Sequence, residues 1–467
     1  MAVLFASAPV ALGPGMALGA SEKGMPACPR SAERPISSVQ GEHLGVIYPS
    51  VSAACELAPR SSGSDNRARY GSPRPQLKIN GGEVMGTAAQ PGEVTLIPIF
   101  WVPASTTMSA EYQGGFTAFD TAVADASGQP SNVFGIQSQY TDARGRHLAN
   151  RFTAGSPIFD AQPFPSTRLS ASCQPDAGAV YGDQTGYIAC VTDDQIATEI
   201  ARVTTAGSLP QDRSHLYSMI LPKGVEVCFS SRNGAHRGQC TLSGATTDTT
   251  GGFCAYHEVG NGASVSSALT YAVIPYAIWN SPLAYSCEGP AEHPSGDPSI
   301  DIALSAYSHE VAEAVTDPAG NGWHDVYGNE NGDLCNSAYG QISSAGGQGY
   351  NQVISSRRFL LQQEFSNAAF KVDPAQGCQS SWTPPDLDLL VDGEAVLRHR
   401  MAFIAQASSA YGRVASYAWT VDGAPAVGKV RLSQAFRSTG VHVVGVTVTD
   451  VGGWSTTQSV AFSVSRR

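Results

Sequence analysis

Ten cysteines, at positions 28, 55, 173, 190, 228, 240, 254, 287, 335 and 378, constrain this 467-residue chain more than any other feature. None sits in a C-x-x-C pair, which argues against a zinc knuckle or a thioredoxin-type redox site. The number is even and eight fall between 173 and 378, the pattern of structural disulfides formed in an oxidising compartment. A secreted, extracellular protein is therefore expected, with the pairing left open. Composition agrees. Charged residues are only 14%, while 49 Gly and 29 Pro suit a loop-rich, β-rich fold. The net charge of −11 is spread along the chain, and no basic patch interleaved with aromatics marks a nucleic-acid surface.

A chain of this length exceeds one ordinary core, so two domains with flanking segments are expected. Residues 1–20 form a weak signal-like segment: apolar and small, but without a basic start and broken by Pro9 and Gly13-Pro14-Gly15. Residues 21–90 read as a low-complexity linker or pro-segment rich in Ser, Pro, Gly and Arg. No apolar run is long enough for an integral membrane span.

The main domain is assigned to 91–382. A continuous apolar run at 93–102 predicts a buried strand, and 216–229 and 269–278 are further strand candidates. Helical spacing appears at 109–126 (Phe116, Phe119, Val123), at 193–205 (Ile196, Ile200, Val203) and at 299–315. Strands alternating with helices predict an α+β or three-layer α/β domain. Residues 384–467 follow the stiff Thr383-Pro384-Pro385 break. There Val444, Val446 and Val448 alternate with polar or small residues, as do Val460, Phe462 and Val464 beyond the Gly452-Gly453 turn. That period of two predicts a half-buried hairpin, and Trp419 a bulky core residue of an all-β immunoglobulin-like sandwich.

The helix at 299–315 carries the candidate chemistry. Leu304, Tyr307, Val311 and Val315 make an inward stripe, while His309 and Glu313, four apart, project from one face. This spacing lets one helix offer two ligands to a single zinc ion, with Glu310 in the position of the base that deprotonates a metal-bound water. Glu330, in the acidic loop 328–333, is the first choice of third ligand; Asp317, His324, Asp325, Asp333 and the distant His257 are alternatives. The same loop supplies oxygen ligands of the kind calcium takes, although it lacks the alternation of an EF-hand. Opposed to these readings, Glu310 and Glu313 would be solvated helix residues and Asp317-Pro318 an ordinary helix stop. No nucleophile elbow, P-loop or dinucleotide fingerprint occurs. His236 reads as a surface residue of a polar loop.

Two resemblances follow from these motifs. Residues from about 93 to 378 resemble the phosphate-induced protein 1 (Exordium-like) family through GVEVCFSSRNGAHRGQC, AYHEVGN and AEAVTDPAGNG, with Cys378 at the far end. Here the resemblance is to a bacterial secreted form that joins an H-E-x-x-E-x-x-T-D-P helix to a loop filled by Trp323, Asp325, Gly328, Glu330, Gly332, Asp333 and Cys335. It implies secretion, and an extracellular role for which no enzymatic activity is established in plant members. The V-x-V-x-D-x-G-G-x-S hairpin after an aromatic strand resembles a PKD domain, with Asp422-Gly423 in place of a fuller Gly-Asp-Gly loop. Such modules bind or space. The sequence thus leaves three expectations: a zinc peptidase-like hydrolase of peptide or extracellular polymer, a non-catalytic extracellular or wall-associated binding protein, and a calcium-stabilised structural domain.

Overall fold

The computed structural model describes residues 76–87, 92–165, 188–229, 240–241, 253–260, 268–276, 292–336, 338–345 and 348–466, with short strands at 44–47, 50–51, 180–181, 184–185 and 285–286. The signal-like segment, most of the 21–90 linker and His236 lie outside these residues. The described ones belong to one compact unit, 35–467.

A mixed sheet organises the main domain. Its strands are β1 (Leu44–Ile47), β2 (Val94–Trp101), β3 (Phe152–Ala154), β4 (Ile158–Asp160), β5 (His215–Ile220), β6 (Ala255–Val259) and β7 (Thr270–Ile274). The order is β1-β6-β7-β5-β2, with β3 and β4 both on the outer side of β2. From β7 outward through β5 and β2 the pairing is parallel, whereas β6 and β1 run antiparallel. Parallel strands need crossovers, and helices supply them.

Alternation along the strands separates two cores. Leu96 and Phe100 of β2, Leu216 and Ile220 of β5, and Ala272 and Ile274 of β7 face α1 (Ala110–Asp125) and α3 (Pro298–Thr316). Ile97, Ile99 and Trp101, Tyr217 and Met219, and Tyr271 and Val273 face α2 (Asp193–Ala206). Helices thus cover both faces, and the three-layer form of the expectation describes this sheet. Each helix starts where the sequence provides a cap. Ser109 accepts from Tyr112 N, Thr192 and Gln195 form a capping box, and Asp297 accepts from Ser299 N ahead of Pro298.

Two expectations need adjustment. The 216–229 run is two strands, β5 and Val225–Cys228, separated at Pro222 and at Gly224 with φ +89°. Leu77, Val84 and Met85, inside the stretch read as linker, are core residues, and Trp323–His324 pairs with Lys78–Ile79. That segment is too short to show a period, so only the contacts reveal it. Among the described cysteines none is free; Cys228 bonds Cys240 and Cys335 bonds Cys378.

The C-terminal strands form two packed sheets, Asp386–Asp392, Arg400–Ser408 and Arg431–Ala435 opposite Ala424–Ala426, Ser416–Val421, Gly440–Thr449 and Ser455–Val464. Phe403, Trp419, Leu432, Val444, Val446 and Val448 fill the space between them. Asp422 and Gly423, both at positive φ, make the two-residue turn that matches strand twist. The sandwich meets the main domain through a built junction: Trp382 Nε1 donates to Asp450 Oδ2 at 2.7 Å and Trp454 Nε1 to Gly135 O at 3.0 Å.

Candidate metal centre

α3 is buried on nearly all sides, and this is what concentrates charge inside the domain. His309, Glu310 and Glu313 are each 0% exposed. Above them β6 contributes His257, which shares the α3-facing side of its strand with Ala255; the small Ala255 and Ala272 leave room for the helix. After Pro318 the chain turns back, and the loop carrying Asp325, Glu330 and Asp333 is fastened to the strand Cys378–Gln379 by the Cys335–Cys378 bond. The Glu364–Phe365 strand beside it adds a further buried acid, Glu364.

These residues sort into two three-donor groups. His257, Glu313 and Glu330 form one, and His309, Glu310 and Glu313 the other; within each, one donor atom per residue lies within 4.8 Å of the rest. His257 Nδ1 lies 3.0 Å from Glu310 Oε2 and its Nε2 lies 3.6 Å from Glu330 Oε2. His309 Nε2 is 2.9 Å from Glu313 Oε1 and 3.8 Å from Asp333 Oδ1. Its Nδ1 is 3.0 Å from the Gln362 amide, which also donates to Gly332 O. The grouping differs from the expected His309–Glu313–Glu330 set: His257 stands with Glu330, and Glu313 is common to both groups.

The alternative ligands fall into place individually. Asp317 caps α3, accepts from Gly322 N, and presents its backbone carbonyl 3.3 Å from His257 Nε2. Asp333 Oδ2 accepts from Glu330 N. Asp325 joins neither group; its two oxygens accept from Tyr327 N, Asn329 N and Asn329 Nδ2 and so hold the turn. A third cluster of donor atoms, Glu226 with Cys228 and Cys240, is closed to metal by the disulfide between its cysteines.

Enclosure perturbs the acids of the two donor groups and their buried neighbours Asp333 and Glu364. Burial, then Glu313 and Asp333, pushes Glu310 well above the carboxylate range, and burial with Asp317 and Glu313 does the same to Glu330. Burial, then Glu313, raises Asp333 to about 8, and burial also raises Glu364. For Glu313 burial is outweighed by His309 and His257, and its carboxyl is held low. Burial opposes the charged form of His309, but Glu313, Asp333 and Glu364 lift the imidazole to about 9. His257, where burial dominates, is lowered. Many like charges without water cost several kcal/mol per ion unless a cation joins them. Buried atoms that accept no hydrogen bond mark where it would sit: Glu310 Oε1, Glu313 Oε2 and both oxygens of Glu330. Mixed imidazole and carboxylate donors fit zinc or a similar transition ion; calcium takes oxygen alone.

Glu364 and Gln362 are absent from the sequence reading, and Gly332 enters it only as part of the loop pattern. An acid close behind Phe359-Leu360-Leu361 and directly before Phe365 is the one signal that marks Glu364. Gly332 packs flat on the His309 ring, where an added Cβ would lie 2.8 Å from three ring atoms.

A three-layer disulfide-bonded domain with an enclosed histidine–carboxylate cluster, followed by a β-sandwich, defines the class. Residues 188–368 match the phosphate-induced protein 1 conserved region. It is similar to Protein EXORDIUM-like 3 of Arabidopsis thaliana, 29% identical over 126 residues, covering 24% of this chain and 36% of the relative. That match therefore spans about a third of the relative's length. The chain is also similar to the PKD1 domain of Vibrio anguillarum Epp, at 19% identity and TM-score 0.17 over 19% of this chain and 100% of that one. A third similarity is to OgpA from Akkermansia muciniphila, at 10% identity and TM-score 0.20 over 82% and 94%. Scores this low add nothing to the fold read from strand pairing.

Proposed function

We propose that this chain is a secreted Exordium-like binding protein whose main domain is organised around a buried divalent-cation centre. The observation that carries the reading is enclosure: His257, His309, Glu310 and Glu313 are 0% exposed and Glu330 is 1%. A catalytic metal needs an open position that substrate can reach. Glu310, the one candidate base, already has Oε2 within 3.0 Å of His257 Nδ1, the arrangement by which a carboxylate orients a ligating histidine. Disulfides support an oxidising compartment, and among the described residues no helix is long and apolar enough to cross a membrane. The β-sandwich would then contribute to binding an extracellular polymer.

A second reading, a zinc-dependent peptide hydrolase, is favoured by one observation: Glu310 Oε1 is unpaired beside His309. One experiment separates the two. Purified full-length protein is analysed for bound metal and incubated with a broad peptide library with and without chelator. The binding reading expects stoichiometric metal, a melting point that falls on chelation, and no cleavage. Chelator-sensitive cleavage that disappears in Glu310→Gln would replace it with the hydrolase. Metal-free protein whose stability ignores both chelator and added zinc would remove the centre altogether.

A further inference from the structure

We propose that the cluster is built for two divalent cations bridged by Glu313, one held with His257 and Glu330, the other with His309 and Glu310; this rests on the cation-binding reading above. Glu313 is the one residue shared by the two donor groups. Its oxygens face different imidazoles, Oε1 lying 2.9 Å from His309 Nε2 and Oε2 lying 3.8 Å from His257 Nδ1. A carboxylate that bridges two metals presents one oxygen to each, with the ions about 3.5–4 Å apart.

Both halves hold unpartnered donors sealed from solvent. On one side these are the two oxygens of Glu330; on the other it is Glu310 Oε1. Glu310 links the halves, its Oε2 meeting His257 Nδ1 while Oε1 stays free. Charge counts the same way. Glu310, Glu313, Glu330, Asp317, Asp333 and Glu364 surround two imidazoles, and the hydrogen bonds from Gly322 N and Glu330 N occupy only one oxygen each of Asp317 and Asp333. Metal binding displaces the protons that burial keeps on these acids, and two dications can be matched by four carboxylates where one is matched by two. Each half also has a spare acid, Asp317 beside Glu330 and Glu364 beside His309.

The test uses the full chain, stripped with chelator, titrated with Zn²⁺ alone and counted after gel filtration; a parallel sample is loaded with Mn²⁺ for electron paramagnetic resonance. Two equivalents per chain and a spin-coupled manganese signal are expected. Glu330→Gln and His309→Ala, on opposite halves, should each reduce uptake to one and abolish coupling. Uptake of a single equivalent by the wild type, without coupling, overturns the pair but leaves a one-cation centre standing. No uptake overturns both. Should a variant fail to fold, the wild-type count and its coupled signal decide.

Discussion

Replacing Gly332 with Ala sets two effects of opposite sign against each other. Gly332 has φ −71° and ψ −46°, a backbone any residue adopts, so the unfolded-state entropy alone favours alanine by about 0.4–1 kcal/mol. The new Cβ would lie 2.8 Å from Cγ, Cδ2 and Cε1 of His309, closer than real contacts allow. That ring has little room to give: the Gln362 amide stands 3.0 Å from Nδ1 and Glu313 Oε1 is 2.9 Å from Nε2. Overfilling a packed site costs about 1–3 kcal/mol, so the steric effect wins by about 1–2 kcal/mol. For a unit of this size that lowers the melting temperature by about 1–3 °C. Calorimetry of the full chain in chelator and in zinc measures it, and zinc should raise the variant's melting point less than the wild type's because the imidazole has been displaced. A Gly332→Ala protein that melts at or above wild type in both buffers would refute the packing argument.

The crossing of α1 and α3 gives a paired test. Gly114→Ala faces open space and should stabilise by about 0.5–1 kcal/mol, whereas Gly115→Ala would meet Ile300 Cγ2 at 2.7 Å and should destabilise by about 1–3 kcal/mol; melts that shift in the same direction would contradict it. At the junction, Trp382→Ala removes a ring 2% exposed together with its bond to Asp450, and a loss of about 3–5 kcal/mol should appear as faster proteolysis near residues 383–385. In the sandwich, the bond to Asp422 raises His442, while Val443 N and His442 lower Asp422. The histidine's contribution is complete below its unfolded value of about 6.5 and fades as pH rises through the raised folded value; the aspartate's is complete above about 3.9 and fades in acid. The stability advantage of wild type over His442→Gln should therefore peak near about pH 5 and shrink by about pH 9; a flat difference across that range would count against the pair.

Much of the frame was legible because local chemistry and tertiary packing agree. α3 is announced by Asp297, Pro298 and its apolar stripe, and ends at Asp317-Pro318 as a helix stop should. The late hairpin follows from alternation, and its register pairs Val444 with Val460 and Val448 with Thr456. The centre was only half legible. Spacing along one helix finds His309 and Glu313, because four residues make about one turn. It cannot rank His257, which lies 53 residues from Glu310 and reaches it through strand register. Glu364 and the packing of Gly332 on His309 escape for the same reason, since neither contact can be read from local spacing. Enclosure is equally invisible in sequence: Glu310 and Glu313 look like solvated helix residues until both flanks are covered.

Asp450 divides its carboxylate between two tasks. Oδ1 accepts Gly452 N and Trp454 N and so shapes the turn between the last two strands, while Oδ2 takes Trp382 Nε1. Gly452 lies so near the Trp382 ring that a methyl group there would overlap it at 2.2 Å. A tug on the tail is thus delivered to Trp382, four residues beyond Cys378 and the loop it secures, without slack to absorb it. Transplanting this module onto another host would leave an indole-shaped vacancy, and the two parts are better regarded as one mechanical body than as beads on a string.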